Sequence, residues 1–259
     1  MISLPRHKML AWINDIDCYI RAKLFKHHPF ESLVGKLTHV TTIIPLSKCF
    51  LSQFYPLLNI SSKRGTCHLS ELACSDLAFW KFLLRKAHAG LSLNLLSMRV
   101  PTHLYKADAS SVGIGGYSLS GRAWRWQLPP HLLGRASINL LEFLASLVGP
   151  WIDIIEGNLP EYSSCLCEGD NRSAICWLTN ANFSSDEQPA HHAAARRIAT
   201  LLMNNNSNLH PQWISGSTNV VADCLSRDFD CTDILLTTIL LHLFPSQMPQ
   251  AFEIAPLPR

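Results

Sequence analysis

A chain of 259 residues, 47% of them hydrophobic, can bury one sizeable core or two modest ones, and wholesale disorder is excluded. Its net charge of +3 permits a nucleic-acid partner without identifying one. The most apolar run, Ile234 to Phe244, is shorter than the roughly 20 residues of a bilayer-spanning helix, and Arg6, Lys8, Asp15 and Asp17 interrupt the N-terminus, so neither a membrane partner nor a signal peptide is expected. In chain order, Lys8 to Phe25 and Pro29 to Ile44 carry apolar residues at three- and four-residue spacings, which predicts two amphipathic helices broken at Pro29. Pro45 and Pro56 punctuate the next stretch, SSKRGTCH (Ser61 to His68) is a polar break, and Leu69 to Ala87 returns to helical periodicity. Large apolar faces are expected to remain on these helices, for instance around Phe50, Leu51, Phe54, Tyr55, Leu57 and Leu58.

The pattern changes near Pro101. His103 to Ala109 alternates, Gly113 to Leu119 is glycine-rich and extended, and Ala123 to Leu128 reads as a third strand with Trp124 and Trp126 on one face, together an antiparallel meander. Ile138 to Ile155 reads as a helix that Gly149 and Pro150 kink or end. Ser164 to Glu168 is a short buried strand, Asn171 to Leu178 and Pro189 to Met203 are helical, Leu209 to Ile214 is a last strand, and Val220 to Arg227 a helix. That order predicts an α/β fold, a mixed five-stranded sheet flanked by helices and preceded by a helical region. Three segments are expected: a helical region 1–95, an α/β domain 96–230, and a C-terminal helix with a proline-containing tail, 231–259.

The nine cysteines have no paired C-x-x-C spacing, so neither a zinc ribbon nor a finger is expected, and Cys165 and Cys167 fit alternation along a strand. Reduced thiols point to an intracellular site, cytoplasm or nucleus.

Four acids stand in four distinct contexts: Asp108 in YKADASSVGIGG, Glu142 in NLLEFLA, Asp170 in CEGDNRSA and Asp223 in NVVADCLSR. Each follows a strand or lies in a helix able to deliver it to one shared site, a carboxylate nest for divalent metal ions. Each also has a plainer role: Glu142 as a helix acid, though flanked by apolar Leu141, Phe143 and Leu144; Asp170 as an N-cap; Asp223 as a first-turn acid favoured by the helix dipole.

From about Thr102 to Phe229 the chain resembles the ribonuclease H domain attached to retrotransposon reverse transcriptases. SGSTNVVADCLSR, with Gly216, Asn219, Ala222, Asp223, Leu225, Ser226 and Arg227, is similar to the family's G-x-x-N-x-x-A-D-x-L-S-R ending, and the ASSVGIGGY glycine pattern after Asp108 also matches. Upstream, FESLVGKLTHVTTIIPLSKCFL resembles the thumb-to-connection segment of such polyproteins, best in elements of the DIRS type, and DLAFWKFLLRKAHAG resembles the connecting helix. The resemblance implies a two-metal-ion endonuclease that hydrolyses the RNA strand of RNA/DNA hybrids. Its cofactors would be two Mg2+ or Mn2+ ions, with Asp108 bridging both, Glu142 and Asp170 on one and Asp223 on the other. Phosphodiester hydrolysis needs an activated water, stabilised charge and an assisted 3′ leaving group. Two hard divalent ions about 4 Å apart, held by carboxylates, can supply all three.

For the hybrid, Arg172, Arg196, Arg197 and Arg227 are candidate phosphate contacts, as are Lys106, Arg122 and Arg125, and Ser110, Ser111 and Asn171 are candidates for sugar hydroxyls. Any one of these cations is equally a solvated surface charge, and Trp124 and Trp126 suit packing better than base stacking. Many members of the family carry a histidine shortly before the last aspartate; WISGSTNVVAD has none, and His191 and His192 are expected to face solvent. No palm surrounds Asp15 and Asp17, so the chain is expected to be a fragment or remnant of a retroelement polyprotein and not a polymerase. A reverse-transcriptase polymerase domain encoded elsewhere is then a candidate partner. The alternative is a catalytically silent nucleic-acid-binding or scaffolding module. A DNA-cutting nuclease of the same superfamily is disfavoured by NVVADCLSR.

Overall fold

The structure, a computed structural model, describes residues 1–44, 47–95, 99–180 and 188–258. Pro45, one of the predicted punctuation points, lies outside them. Two compact units form: Met1–Ser97 with Asn180–Asn206, and Met98–Thr179 with Ser207–Arg259.

In the first unit α1 (Arg6–Ala22) ends where Lys23 turns left-handed, at φ 50°. β1 (Leu24–Lys26) leads directly into α2 (His27–Thr41). Pro29 does not break this helix; it occupies the first turn, where its missing N–H has no intrahelical partner to lose. α3 (Phe54–Arg64) stops at Gly65, φ 77°, and β2 (Thr66–His68) pairs antiparallel with β1. SSKRGTCH, expected as a polar break, is divided between the end of α3 (Ser61 to Arg64) and this ribbon, because three-residue strands are too short to show alternation. α4 (Glu71–Ala89) starts at Ser70, whose hydroxyl accepts the Ala73 N–H at 3.1 Å.

The second unit begins with β3 (His103–Ala109), β4 (Gly113–Ser118) and β5 (Arg122–Gln127), the expected antiparallel meander. α5 (Ile138–Ile155) follows, then β6 (Ser164–Gly169) and α6 (Arg172–Asn180). α7 (Gln188–Asn204) belongs to the first unit, and β7 (Asn208–Trp213), α8 (Val220–Arg227), α9 (Asp233–Leu243) and β8 (Glu253–Ile254) complete the second. The sheet order is β7-β6-β3-β4-β5-β8, with β6 parallel to β3, β7 parallel to β6 and β8 parallel to β5. This is the predicted mixed sheet flanked by helices, with six strands where five were expected. The additional β8 is an edge strand of two residues: Glu253 N–H donates to Gly121 O and Ala255 N–H to Ala123 O, both at 2.9 Å. Gly121 allows this approach, since its φ is 104° and a Cβ there would lie 1.7 Å from the Ala251 carbonyl oxygen.

Alternation along the strands gives the sheet two apolar faces. Ala107, Ile114 and Trp124 pack with Leu141, Ala145 and Ile152 of α5, whereas Tyr117 and Ala123 pack with Val221, Ala222 and Leu225 of α8 and with Leu236 and Leu240 of α9. α5 runs unbroken through Gly149 and Pro150, against expectation. Gly149 serves close packing, because a Cβ would sit 2.6 Å from the Tyr105 ring. By length and composition α5 could cross a membrane, but most of it is buried and it carries the buried acids Glu142 and Asp153, as a core helix of this unit does.

The expected apolar faces of the N-terminal helices are largely absent. Phe50, Leu51 and Phe54 are fully buried, while Tyr55 stays exposed. Trp80 Nε1 donates to the Phe50 carbonyl at 3.1 Å, and α7 supplies cover through His192, whose ring meets Phe50 edge-on at 5.7 Å. His191 and His192, expected in solvent, are therefore buried.

Candidate metal centre

Parallel pairing of β3 with β6 decides where two of the four acids go. Lys106 pairs with Glu168, so Asp108 and Asp170, each two residues further on, emerge at the same edge of the sheet. Asp108 is the penultimate residue of β3, and Asp170 follows the last residue of β6. α5 is capped by Ser137, whose hydroxyl accepts the Leu140 N–H at 3.2 Å, and one turn later presents Glu142 to that edge. Carboxylate oxygens of Asp108, Glu142 and Asp170 lie within 4.8 Å of one another. Asp223, in the first turn of α8, lines the same cleft of about 390 Å³, with Ser110, Ser111 and Arg227 also on its walls.

Glycine brings α8 this close. Gly115, opposite Asp108 in the β3–β4 register, has no Cβ, and one there would lie 2.5 Å from the backbone carbon of Leu225. Ser226 thereby reaches Asp108: its hydroxyl donates to Oδ2 at 2.7 Å. Asn219, fully buried, donates from Nδ2 to the Ala107 carbonyl at 3.0 Å and ties the loop before α8 to the central strand.

The acids are held with little positive charge around them. Burial pushes Asp108 up to about 6, Ser226 pulls it back in part, and Asp170 and Asp223 push it further. Glu142 is raised to about 9, first by burial and then by Asp108 and Asp170, against the Ala109 backbone N–H and Arg227. Asp170 is also raised, by burial before the charge of Asp223. Arg227 is the cation on the cleft wall, and its Nε sits 2.6 Å from Asp223 Oδ1.

The predicted substrate contacts divide. Ser110 is buried and closes the β3–β4 turn: it accepts the N–H groups of Val112 and Gly113 at 3.2 and 3.1 Å and donates to the Ser226 carbonyl at 2.6 Å. Asn171, not Asp170, caps α6, its Oδ1 accepting the Ala174 N–H at 3.0 Å while its Nδ2 donates to Asn139 at 3.1 Å. Arg172 is exposed and lies over Trp213, 4.8 Å from the ring centroid, and Trp213 Nε1 donates to the Asp170 carbonyl at 2.8 Å. Arg196 is on α7 in the first unit, bonded to Asp76 and Ser75, and its neighbour Arg197 is exposed. His210 lies in β7 opposite Leu166, its pKa lowered by burial, and does not line the cleft. Sequence reasoning missed Ser226 and Asn219 as supports of the site; the only signal was their place in the SGSTNVVADCLSR motif.

No family model matches the chain, and no curated protein matches it. Among solved structures it is similar to RNase H1 from the halophilic archaeon Halobacterium salinarum NRC-1, at 18% identity over 50% of this chain and 97% of that one, with a TM-score of 0.36. It is also similar to the prototype foamy virus protease-reverse transcriptase, at 17% identity over 72% of this chain and 24% of that one, with a TM-score of 0.28. The mixed sheet with helices on both faces is the α/β architecture expected from the order of the elements.

Proposed function

We propose that this chain is a divalent-metal-dependent endonuclease that hydrolyses the RNA strand of RNA/DNA hybrids. The observation that carries the reading is the convergence of Asp108, Glu142 and Asp170 on one cleft that Asp223 also lines. The donor set fits hard divalent ions, being all oxygen, and the one arginine on the wall is already engaged with Asp223. Buried acids raised to about 6 and about 9 are short of positive charge, which an ion would supply while restoring both to carboxylates.

When bound, two Mg2+ or Mn2+ ions would provide Lewis acidity at the phosphate and a lowered pKa for the attacking water. Asp108, Glu142 and Asp170 would hold them, with Asp223 on the same cleft as a further ligand. Ser226 fixes the rotamer of Asp108, and Asn219 anchors the start of α8, the helix that carries Asp223. Arg172, exposed over Trp213, is available to a phosphate, Arg227 would be so once an ion takes its place at Asp223, and Ser111, exposed on the cleft wall, suits a 2′-hydroxyl. Ser110 and Asn171 act through the backbone they hold. Retroelement origin belongs to the same proposal and rests on the SGSTNVVADCLSR ending.

The test is cleavage of a labelled RNA/DNA hybrid by the purified chain. RNA-strand products in Mg2+ or Mn2+, none with chelator and none from duplex DNA are expected. Cleavage that survives chelation, or that falls on DNA alone, rejects the reading. The contact of Arg227 with Asp223 favours one other function, a silent hybrid-binding module in which the guanidinium keeps the fourth carboxylate from a metal. Hybrid binding without cleavage in any divalent ion would select it.

A further inference from the structure

The first turn of α2 gathers a different set of ligands. Glu31 is four residues from His27 and three from His28, the two separations at which helix side chains meet. Its Oε2 lies 3.6 Å from His27 Nε2 and 3.6 Å from His28 Nδ1, and ligand atoms from all three residues fall within 4.8 Å of one another. The plain alternative is a pair of surface ion pairs. Both separations, however, exceed hydrogen-bonding distance, which ends near 3.2 Å for N–H···O. They are close to the roughly 3.4 Å edge of a tetrahedron whose ligands sit about 2.0–2.1 Å from a central ion.

A second observation fixes the imidazole. Ser61 is fully buried and has a single hydroxyl proton, which it donates to the Leu58 carbonyl at 3.0 Å. With that proton on Leu58, the 2.9 Å contact between Ser61 Oγ and His27 Nδ1 is one in which the imidazole donates. That contact orients the ring through Nδ1 and leaves Nε2 as the nitrogen that faces Glu31, the atom open to a metal ion. The platform is rigid: the His27 N–H donates to the Gly65 carbonyl at 3.0 Å, and Phe30, fully buried, packs edge-on against Tyr19 and Phe54. Beside the trio opens a cleft of about 430 Å³ whose walls include His27, Glu31, Tyr55 and Asn59, leaving one side accessible to a water or small ligand.

We propose that His27, His28 and Glu31 bind a borderline transition-metal ion, best Zn2+, through His27 Nε2, His28 Nδ1 and a Glu31 oxygen, with water in the fourth position. Two imidazoles and one carboxylate prefer such an ion over Mg2+, so this site and the all-oxygen cleft take different metals. Its presence does not depend on nuclease activity.

Competition of the reduced full chain against a chromophoric zinc chelator tests it, with Co2+ absorption as a second readout. The parent should hold one more equivalent of Zn2+ than His28→Ala, whose imidazole is 90% exposed and whose loss leaves the fold intact. Ser61→Ala, with unchanged circular dichroism, should weaken that equivalent about 10- to 100-fold. Co2+ should give a tetrahedral spectrum without a thiolate charge-transfer band. Equal zinc stoichiometry and affinity in parent and His28→Ala, or a thiolate band that accounts for the bound ion, overturns the proposal.

Discussion

Asp76 and Asp108 are both buried aspartates, one in each unit, and the groups around them differ in charge. Asp76, fully buried on α4, is bonded to the Arg196 guanidinium and lies 3.4 Å from His192 Nδ1, while Arg196 also donates to Ser75 at 2.8 Å. Asp108 receives one hydroxyl, from Ser226, and two further acids push its pKa upward. A buried charge that brings its own counter-charge belongs to the architecture. Buried acids grouped without one are costly to keep ionised, and a cation bound among them would relieve that cost.

Removing the counter-charge in the first unit should have the largest effect on stability. Arg196→Met leaves Asp76 buried without its guanidinium and is expected to cost about 3–5 kcal/mol in urea unfolding. The double change Asp76→Asn with Arg196→Met should recover much of that loss, as removing both partners does. A single mutant that unfolds like the parent would break the contrast at once.

In the sheet unit the sign reverses. A carboxyl whose pKa is higher folded than unfolded holds its proton more tightly when folded. That stabilisation is complete below about pH 4 and fades as pH rises through about 6 for Asp108 and about 9 for Glu142. Metal-free protein should therefore lose stability from pH 5 to pH 8, about 1.4 kcal/mol of it through Asp108. Mg2+ should restore most at the alkaline end. Glu142→Gln should be more stable than the parent without metal at pH 8, by about 2–4 kcal/mol, and lose the advantage near pH 4. A pH-independent melting temperature would contradict this.

Ser226→Ala sharpens the point further. Removing the hydroxyl takes away a hydrogen bond to a charged group, about 1.5–3 kcal/mol, and should move the Asp108 titration upward in NMR. An unmoved titration would mean that Ser226 only packs. The smallest effect is expected at Arg197, exposed beside Arg196: Arg197→Ala should stay within about 0.5 kcal/mol in stability. A larger loss in urea unfolding would show that its side chain holds structure.

What the sequence reveals obeys the same division. The four acids were legible because each lies beside a strand end or within a short motif, so local pattern placed it, and the parallel register of β3 and β6 did the rest. The meander was legible from alternation and glycine. The fate of α7 was not: amphipathic spacing says that a face is buried and never against what, so Arg196 read as a phosphate contact and His191 and His192 as solvent-facing. β8 escaped because two residues carry no periodicity, and its pairing depends on Gly121, far earlier in the chain, as the Glu253 bond shows.

The central claim is that Asp108 and its neighbours are a divalent-ion site for cutting RNA in a hybrid, and one paired assay tests it most directly. Parent and Asp108→Asn are incubated with labelled RNA/DNA hybrid in Mg2+, and hybrid binding is measured for both in Ca2+. The account predicts RNA cleavage by the parent, background cleavage by the variant, and equal binding by the two, since Asn keeps the size of the side chain and removes its charge. Asp108→Asn cutting at the parental rate would contradict it.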